Sequence, residues 1–203
     1  MNYTEIVDTA LGYADRTDTE VTDRMDDFLR IVEARANRPL NTQKMVSRVT
    51  IDSITDQEYY GLPSDFDGLR DIEVRSTVAG TVTPKYHSPE QMNNRAGGSF
   101  SDIAYAIIDD QLRLQPAQED AVIELVYYQN LTELSTGAPN NWLSDLYPDC
   151  YIFGLLVEIN AFVKDAETAG MWDTRFKESI AAIKSNDRDS RWSGTALQMR
   201  VER

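Results

Sequence analysis

The sequence predicts an α+β fold, mainly helical. It reads as a helical body of two N-terminal and two long C-terminal helices, a small antiparallel β-rich insertion, and an extended C-terminal arm. Three observations predict it. Apolar residues recur at helical spacing before Pro39 and again after Pro148. Between those stretches the period changes to alternation, with β-branched and aromatic residues set between turn signals. Past Ser185 both patterns end.

Tyr3 to Ala14 reads as a short helix, broken by the Asp-Arg-Thr-Asp segment after it. Thr19 or Thr22 can cap a second helix running to about Arg38, in which Val21, Met25, Phe28, Leu29, Val32 and Ala36 form one buried face. Asp23, Asp26 and Asp27 sit near its positive N-terminal end and Arg35 and Arg38 near its negative end, as the helix dipole favours, and Pro39 stops it. From Lys44 the chain alternates. Val49 and Ile51 mark a strand, Leu62-Pro63 and Asp65 to Gly68 a turn, and Asp71 to Val78 a second strand. Thr81 to Tyr86 is a third strand broken by Pro84. Ser88 caps a short helix with Pro89 at its first position, and Asn93 to Ser99 is a polar loop.

Ile103–Ile108 and Gln111–Leu114 form a hairpin around Asp109-Asp110, and Ala121–Tyr128 supplies a further strand. Pro148 opens a long helix whose residues Cys150 to Val163 are apolar nearly all round, which marks a central core helix, and Gly170 closes it. Trp172, Phe176, Ile180 and Ile183 line a last helix. The chain is therefore read as one domain over 1–186, with a helical body at 1–43 and 140–186 and an insertion at 44–139, followed by the arm at 187–203.

The composition excludes several function classes. One cysteine, Cys150, cannot form an intrachain disulfide, and one histidine, His87, leaves little for zinc. The longest apolar run, Cys150 to Val157, is far short of the roughly 20 residues that span a bilayer. The formal charge of −14 opposes the basic footprint of a nucleic-acid-gripping protein; it fits either an ordinary acidic surface or a wall past which DNA moves without sticking.

Phosphate loops, dinucleotide fingerprints, nucleophile elbows and zinc signatures do not occur. His87 beside Ser88 reads as a solvated loop histidine rather than a base and nucleophile. Ala96 to Ser99 lacks the strand-to-helix setting of an anion cradle. The acid pairs Asp26-Asp27, Asp65 with Asp67, Asp109-Asp110 and Asp187 with Asp189 arise readily in so acidic a chain, and the second and third are turn formers. Glu33, inside an apolar-flanked run, is either catalytic or, better, paired with a neighbouring Arg or tying its helix to the sheet. No catalytic residue, cofactor or metal is expected.

The segment Asp187 to Arg203 carries four Arg against three acids, a net +1 beside −15 for the rest. Trp192, Leu197, Met199 and Val201 give it apolar anchors, the last three alternating. It reads either as a frayed terminus or as an arm that pairs with or packs onto another subunit.

Taken in order, FLRIVEARANRPL (Phe28–Leu40), Tyr60-Gly61-Leu62-Pro63 with Asp65-Phe66, YAIIDDQLRLQP (Tyr105–Pro116), Tyr127-Tyr128 with Leu131 and Leu134-Ser135, Asn141-Trp142-Leu143, Tyr147-Pro148-Asp149 and Asp165–Trp172 resemble the tailed-phage head-to-tail adaptor (connector) family. The resemblance spans most of the chain; Gly80 to Ser101 and the C-terminal arm lie outside it. It implies a non-enzymatic virion protein of the neck, assembled in the host cytoplasm as a homo-oligomeric ring of twelve copies. The ring would bind the portal protein after DNA packaging and offer a platform to the next tail component, a nozzle or tail tube. Genomic DNA would cross its channel without sequence-specific binding, and no membrane is involved. The arm residues Trp192, Leu197, Met199, Arg200 and Val201 are then the expected contacts with portal or neighbouring subunit. Alternatives are another ring-forming tail part, such as a terminator or completion protein, and a carboxylate-based cell-wall hydrolase.

Overall fold

The computed structural model describes the backbone of residues 1–95 and 98–192, with side chains to Arg191. The fold is α+β, with seven α-helices and two sheets among the described residues. The chain divides into two compact units: Met1–Lys44 together with the chain from Leu131 onward, and Met45–Asn130.

The first unit is helical. Helix α1 spans Tyr3–Ala14 and opens on a reciprocal cap, in which Asn2 Oδ1 accepts the Glu5 N–H and Glu5 Oε2 accepts the Asn2 N–H, each at 2.9 Å. Asp15 then turns into the left-handed region (φ 51°) and ends it. The expected second helix is two helices, α2 (Thr19–Thr22) and α3 (Met25–Asn37). Neither expected threonine caps the run; Arg24, at φ −107° and ψ 3°, leaves helical geometry between them. The face drawn from the sequence survives this break, since Val21, Met25, Phe28, Leu29, Val32 and Ala36 are all buried.

Asn141 and Ser144 form a second reciprocal cap and open α5 (Trp142–Leu146). Tyr147 breaks the helix, and Pro148 opens α6 (Pro148–Phe162), where its missing N–H costs nothing. Helix α6 is the centre of the unit and packs against α1, α3, α5 and the last helix, α7 (Ala166–Trp192). Cys150, Tyr151, Leu155, Leu156 and Ile159 are buried along it, each full burial of a large apolar side chain contributing roughly 1.5–3 kcal/mol. Gly154 sits where α6 meets α3 and α7: a Cβ there would lie 2.5 Å from Val32 Cγ1 and 3.2 Å from Phe176 Cε2.

The boundary between α6 and α7 differs from expectation. Lys164, not Gly170, takes the left-handed position (φ 65°), and Asp165 Oδ1 accepts the Thr168 N–H to start α7. Gly170 lies inside α7. The expected extended arm is also corrected over 187–192, which continues α7. The physical reason is local anchoring. Asp187 accepts the Gln43 N–H at 2.7 Å and pairs with Arg191 one turn on at 2.7 Å, while Arg191 donates to the Asn41 carbonyl at 3.0 Å. Leu197, Met199, Arg200 and Val201 lie outside the described residues, as does the side chain of Trp192. Residues 131–139, read as insertion, belong to the helical unit: Leu131 and Leu134 are buried, and their N–H groups bond Asn37 and Glu33.

The second unit holds two four-stranded sheets rather than one. The first has the order β1-β8-β3-β4, from Val46–Asp52, Ala121–Gln129, Phe66–Ser76 and Gly80–Val82. The second has the order β2-β7-β6-β5, from Tyr59–Gly61, Gln111–Gln115, Ala104–Ile108 and Lys85–Tyr86. All pairings are antiparallel except β5 with β6. Strand β3 begins at Phe66, inside the expected turn, because Phe66 pairs with Gln129 and its ring stacks on Tyr127 at 5.6 Å. Tyr60, Ile72, Val74, Ile103, Leu112, Leu114, Ile123 and Leu125, drawn from both sheets, share one core. Helix α4 (Pro89–Asn93) starts with Ser88 as cap and Pro89 in the first turn, as read from the sequence.

Candidate functional site

The residues that carry candidate chemistry are placed as structural parts. Asp26 accepts the Tyr3 hydroxyl, and Asp27 lies 4.0 Å from Arg30 on the surface of α3. Asp65 Oδ1 accepts the Tyr127 hydroxyl at 3.0 Å, which fixes the start of β3, while Asp67 lies within the strand. Asp109 takes the left-handed turn position (φ 54°) at the β6–β7 tip, and the Asp110 carbonyl accepts the Leu62 N–H. Asp187 anchors α7 and Asp189 is exposed. Ser88 Oγ accepts the Gln91 N–H as a helix cap and donates to Glu90 Oε2 at 3.0 Å, so it is not held toward His87. Ala96 and Gly97 lie outside the described residues. Among the described residues no group of three or more His, Cys, Asp or Glu is arranged to hold a metal ion, and no helix is long and apolar enough to cross a membrane.

Glu33 is the most unusual acid. It is 4% exposed, and it neither pairs with an Arg nor reaches a strand, in contrast to the sequence expectation. Its Oε1 accepts the Leu134 N–H at 2.8 Å and the Tyr151 hydroxyl at 3.0 Å. Asn141 donates to the same Tyr151 oxygen at 2.7 Å and to the Thr132 carbonyl at 2.8 Å. One carboxylate thus ties α3 to α6 and to the segment leading into α5. Burial pushes its pKa up to about 7, against the two hydrogen bonds that favour the charge, and nearby Glu133 adds to the rise. Burial also pushes the Tyr151 hydroxyl up, and the Glu33 charge adds to it. A second polar knot lies nearer the surface. Arg35 donates to Glu158 on α6 at 2.8 Å and to Asp173 on α7, with its guanidinium 4.9 Å from the Phe176 ring centre. Bonds from Lys177 and then Arg35 hold the Asp173 carboxyl below its ordinary range.

A groove of about 300 Å³ lies on the helical unit. It is walled by Trp142, Leu146 and Tyr147 from the α5 region and by Ile183, Asp187 and Ser190 from α7. Leu146 is 53% exposed there. Such a feature offers a surface for an apolar segment rather than a place for chemistry.

A family model described as SU10 adaptor protein matches residues 1–200. The chain belongs to that family. It is a phage adaptor, and with that a virion component. No curated protein matches the chain. As an adaptor it is specified by packing and capping, and those are also what sequence reading missed. Gly154 was unmarked within an apolar helix, the Asn141-Tyr151-Glu33 chain joins residues 118 apart, and Arg35 finds its two acids 123 and 138 residues away. Only Asn141, three residues before Ser144, carried a readable local signal, that of a cap.

Proposed function

We propose that this adaptor forms a ring beneath the portal, extends the DNA channel, and presents a platform on which the next tail component assembles. The observation that carries the reading is the family match over residues 1–200. The charge of −14 supports it, since an acidic lumen repels the phosphate backbone and lets DNA pass without being trapped. The resemblance drawn from the sequence supports a ring of twelve, and the arm's own pattern of apolar residues supports Trp192, Leu197, Met199, Arg200 and Val201 as contacts with the portal or a neighbouring subunit.

Electron microscopy of the chain mixed with its portal tests this. A ring of adaptor on the portal is expected; a ring that binds only tail tube, or no association, overturns it. The arm is tested by ending the chain after Trp192, since Asp187 and Arg191 belong to the anchored end of α7. The truncated chain should fold and fail to attach to portal-bearing heads.

A further inference from the structure

We infer that the outer edge of β1 pairs with itself: two copies of the chain join β1 to β1, antiparallel about a two-fold axis at Thr50, into one continuous sheet. The open edge is the first observation. Strand β1 is outermost in its sheet, and among the described strands it pairs with β8 alone. Ser53, just past its end, donates its N–H to the Ala121 carbonyl at 2.8 Å, and backbone groups alternate sides along a strand. Val49 and Ile51 therefore turn their N–H and C=O groups to β8, while Arg48, Thr50 and Asp52 turn theirs outward. Among the described residues none bonds those outward groups. The other sheet edges are kept short: β2 and β4 have three residues and β5 has two. Strand β1 runs for seven, with no proline, lysine or bulge to blunt it.

The second observation sets the occupant and the register. Arg48, Thr50 and Asp52 are exposed on one face, and Val49 and Ile51 pack toward the core on the other. With the axis at Thr50, Arg48 of each copy lies opposite Asp52 of the other, Thr50 opposite Thr50, and Val49 opposite Ile51. Every outward residue then exchanges both backbone bonds with the one it faces, opposite charges meet twice, and apolar residues meet along the core face. Moving the axis to Val49 leaves Arg48 and Asp52 unmatched; moving it to Arg48 sets two arginines side by side. Arg48 keeps its 2.6 Å bond to Glu124, yet its side chain is 59% exposed and has donors to spare. Asp52 is exposed, and no described cation pairs with it.

A contact closed about a two-fold does not repeat round a ring. The dimer is thus a state of the free chain, independent of the ring proposed above.

The isolated full-length chain at about 0.5 M salt, where repulsion between acidic copies is short-ranged, is the material for the test. Sedimentation velocity should show a dimer. Thr50→Pro removes an N–H that β8 does not use, so the urea midpoint should hardly change. Both central bonds are lost, so dimerisation should weaken about tenfold or more. Mild oxidation reads the register. Thr50→Cys should give a disulfide-linked dimer, because residues facing each other at the axis have Cα atoms about 5.5 Å apart. Asp52→Cys should link poorly, because its two copies lie about 14 Å apart along the strands. Cys150 does not interfere, being buried with its thiol pushed up to about 12. A chain that stays monomeric and unlinked, or a dimer that Thr50→Pro leaves intact, overturns the inference. Linking at position 52 as readily as at position 50 overturns it too, and decides the matter even if the proline variant misfolds. None of these failures touches the portal experiment.

Discussion

A methyl group added at residue 154 has nowhere to go, because Val32 and Phe176 already close on the α6 backbone from two sides. Val32 is β-branched and buried, so it cannot swing aside. Gly154→Ala should destabilise the fold by about 1–3 kcal/mol, read as a lower urea midpoint, despite the better helix propensity of alanine. Glu33 gives a prediction with a sign. Its carboxyl is raised from 4.5 to about 7 in the folded chain. Below pH 4.5 it is protonated whether folded or unfolded, and nothing is lost. Between 4.5 and 7 the unfolded chain gives up the proton more readily than the folded one, so this group's contribution falls as pH rises; above 7 the loss is complete. Glu33→Gln keeps an oxygen for Leu134 and Tyr151 but cannot ionise. Its stability relative to the parent chain should therefore improve by about 2–3 kcal/mol between pH 4.5 and pH 8, measured by denaturant titration at each pH. A difference that stays constant over that range would show that Glu33 ionises normally.

Between elements, Arg35 is the joint of α3, α6 and α7. Arg35→Lys keeps the charge but loses the planar fork that reaches Glu158 and Asp173 together and lies over Phe176. A loss of about 1–3 kcal/mol is expected, and a double-mutant cycle with Glu158→Gln should show coupling between the pair. The elements also show what the sequence could and could not specify. Helix α1, the buried face of α3, the capped start of α4, the β6–β7 hairpin and the Pro148 start of α6 were all readable, because each is determined within a few residues by period, cap or turn chemistry. Strand β2 was missed because three residues are too few to show a period. The split into two sheets was missed because alternation tells which way a side chain points, not which strand lies next to it. The α6–α7 break was misplaced because Lys164 occupies a conformation that glycine usually fills. Of the candidate site, Glu33 was noticed, but its partners lie 101 and 118 residues away, beyond any local pattern.

At the scale of the whole molecule the dominant quantity is charge. In the proposed ring, copies carrying −14 each would have to approach closely, and salt weakens the repulsion between exposed charges by shortening its range from about 14 Å at 0.05 M to about 4 Å at 0.5 M. Self-association measured by sedimentation velocity should therefore strengthen over that range. An assembly that dissolves as salt rises would mean that specific ion pairs, rather than apolar contacts, hold it together.

The two-unit division has a consequence for the order in which the chain is made. The sheet unit is a continuous stretch, Met45–Asn130, entered by β1 and left by β8, two strands that pair from Val46 with Tyr128 to Asp52 with Val122. It can close as soon as residue 130 leaves the ribosome. The helical unit must wait: Tyr3 bonds the Pro139 carbonyl, and α1 and α3 bury their apolar faces on α6, which is made later. Until α6 is made, those first helices lack the surface on which their apolar faces are buried. Nascent chains stalled with residue 140 just exposed should thus show a protease-resistant core from the sheet unit and rapid cleavage before Lys44. Equal protection of both stretches would mean that the early helices find shelter before α6 exists.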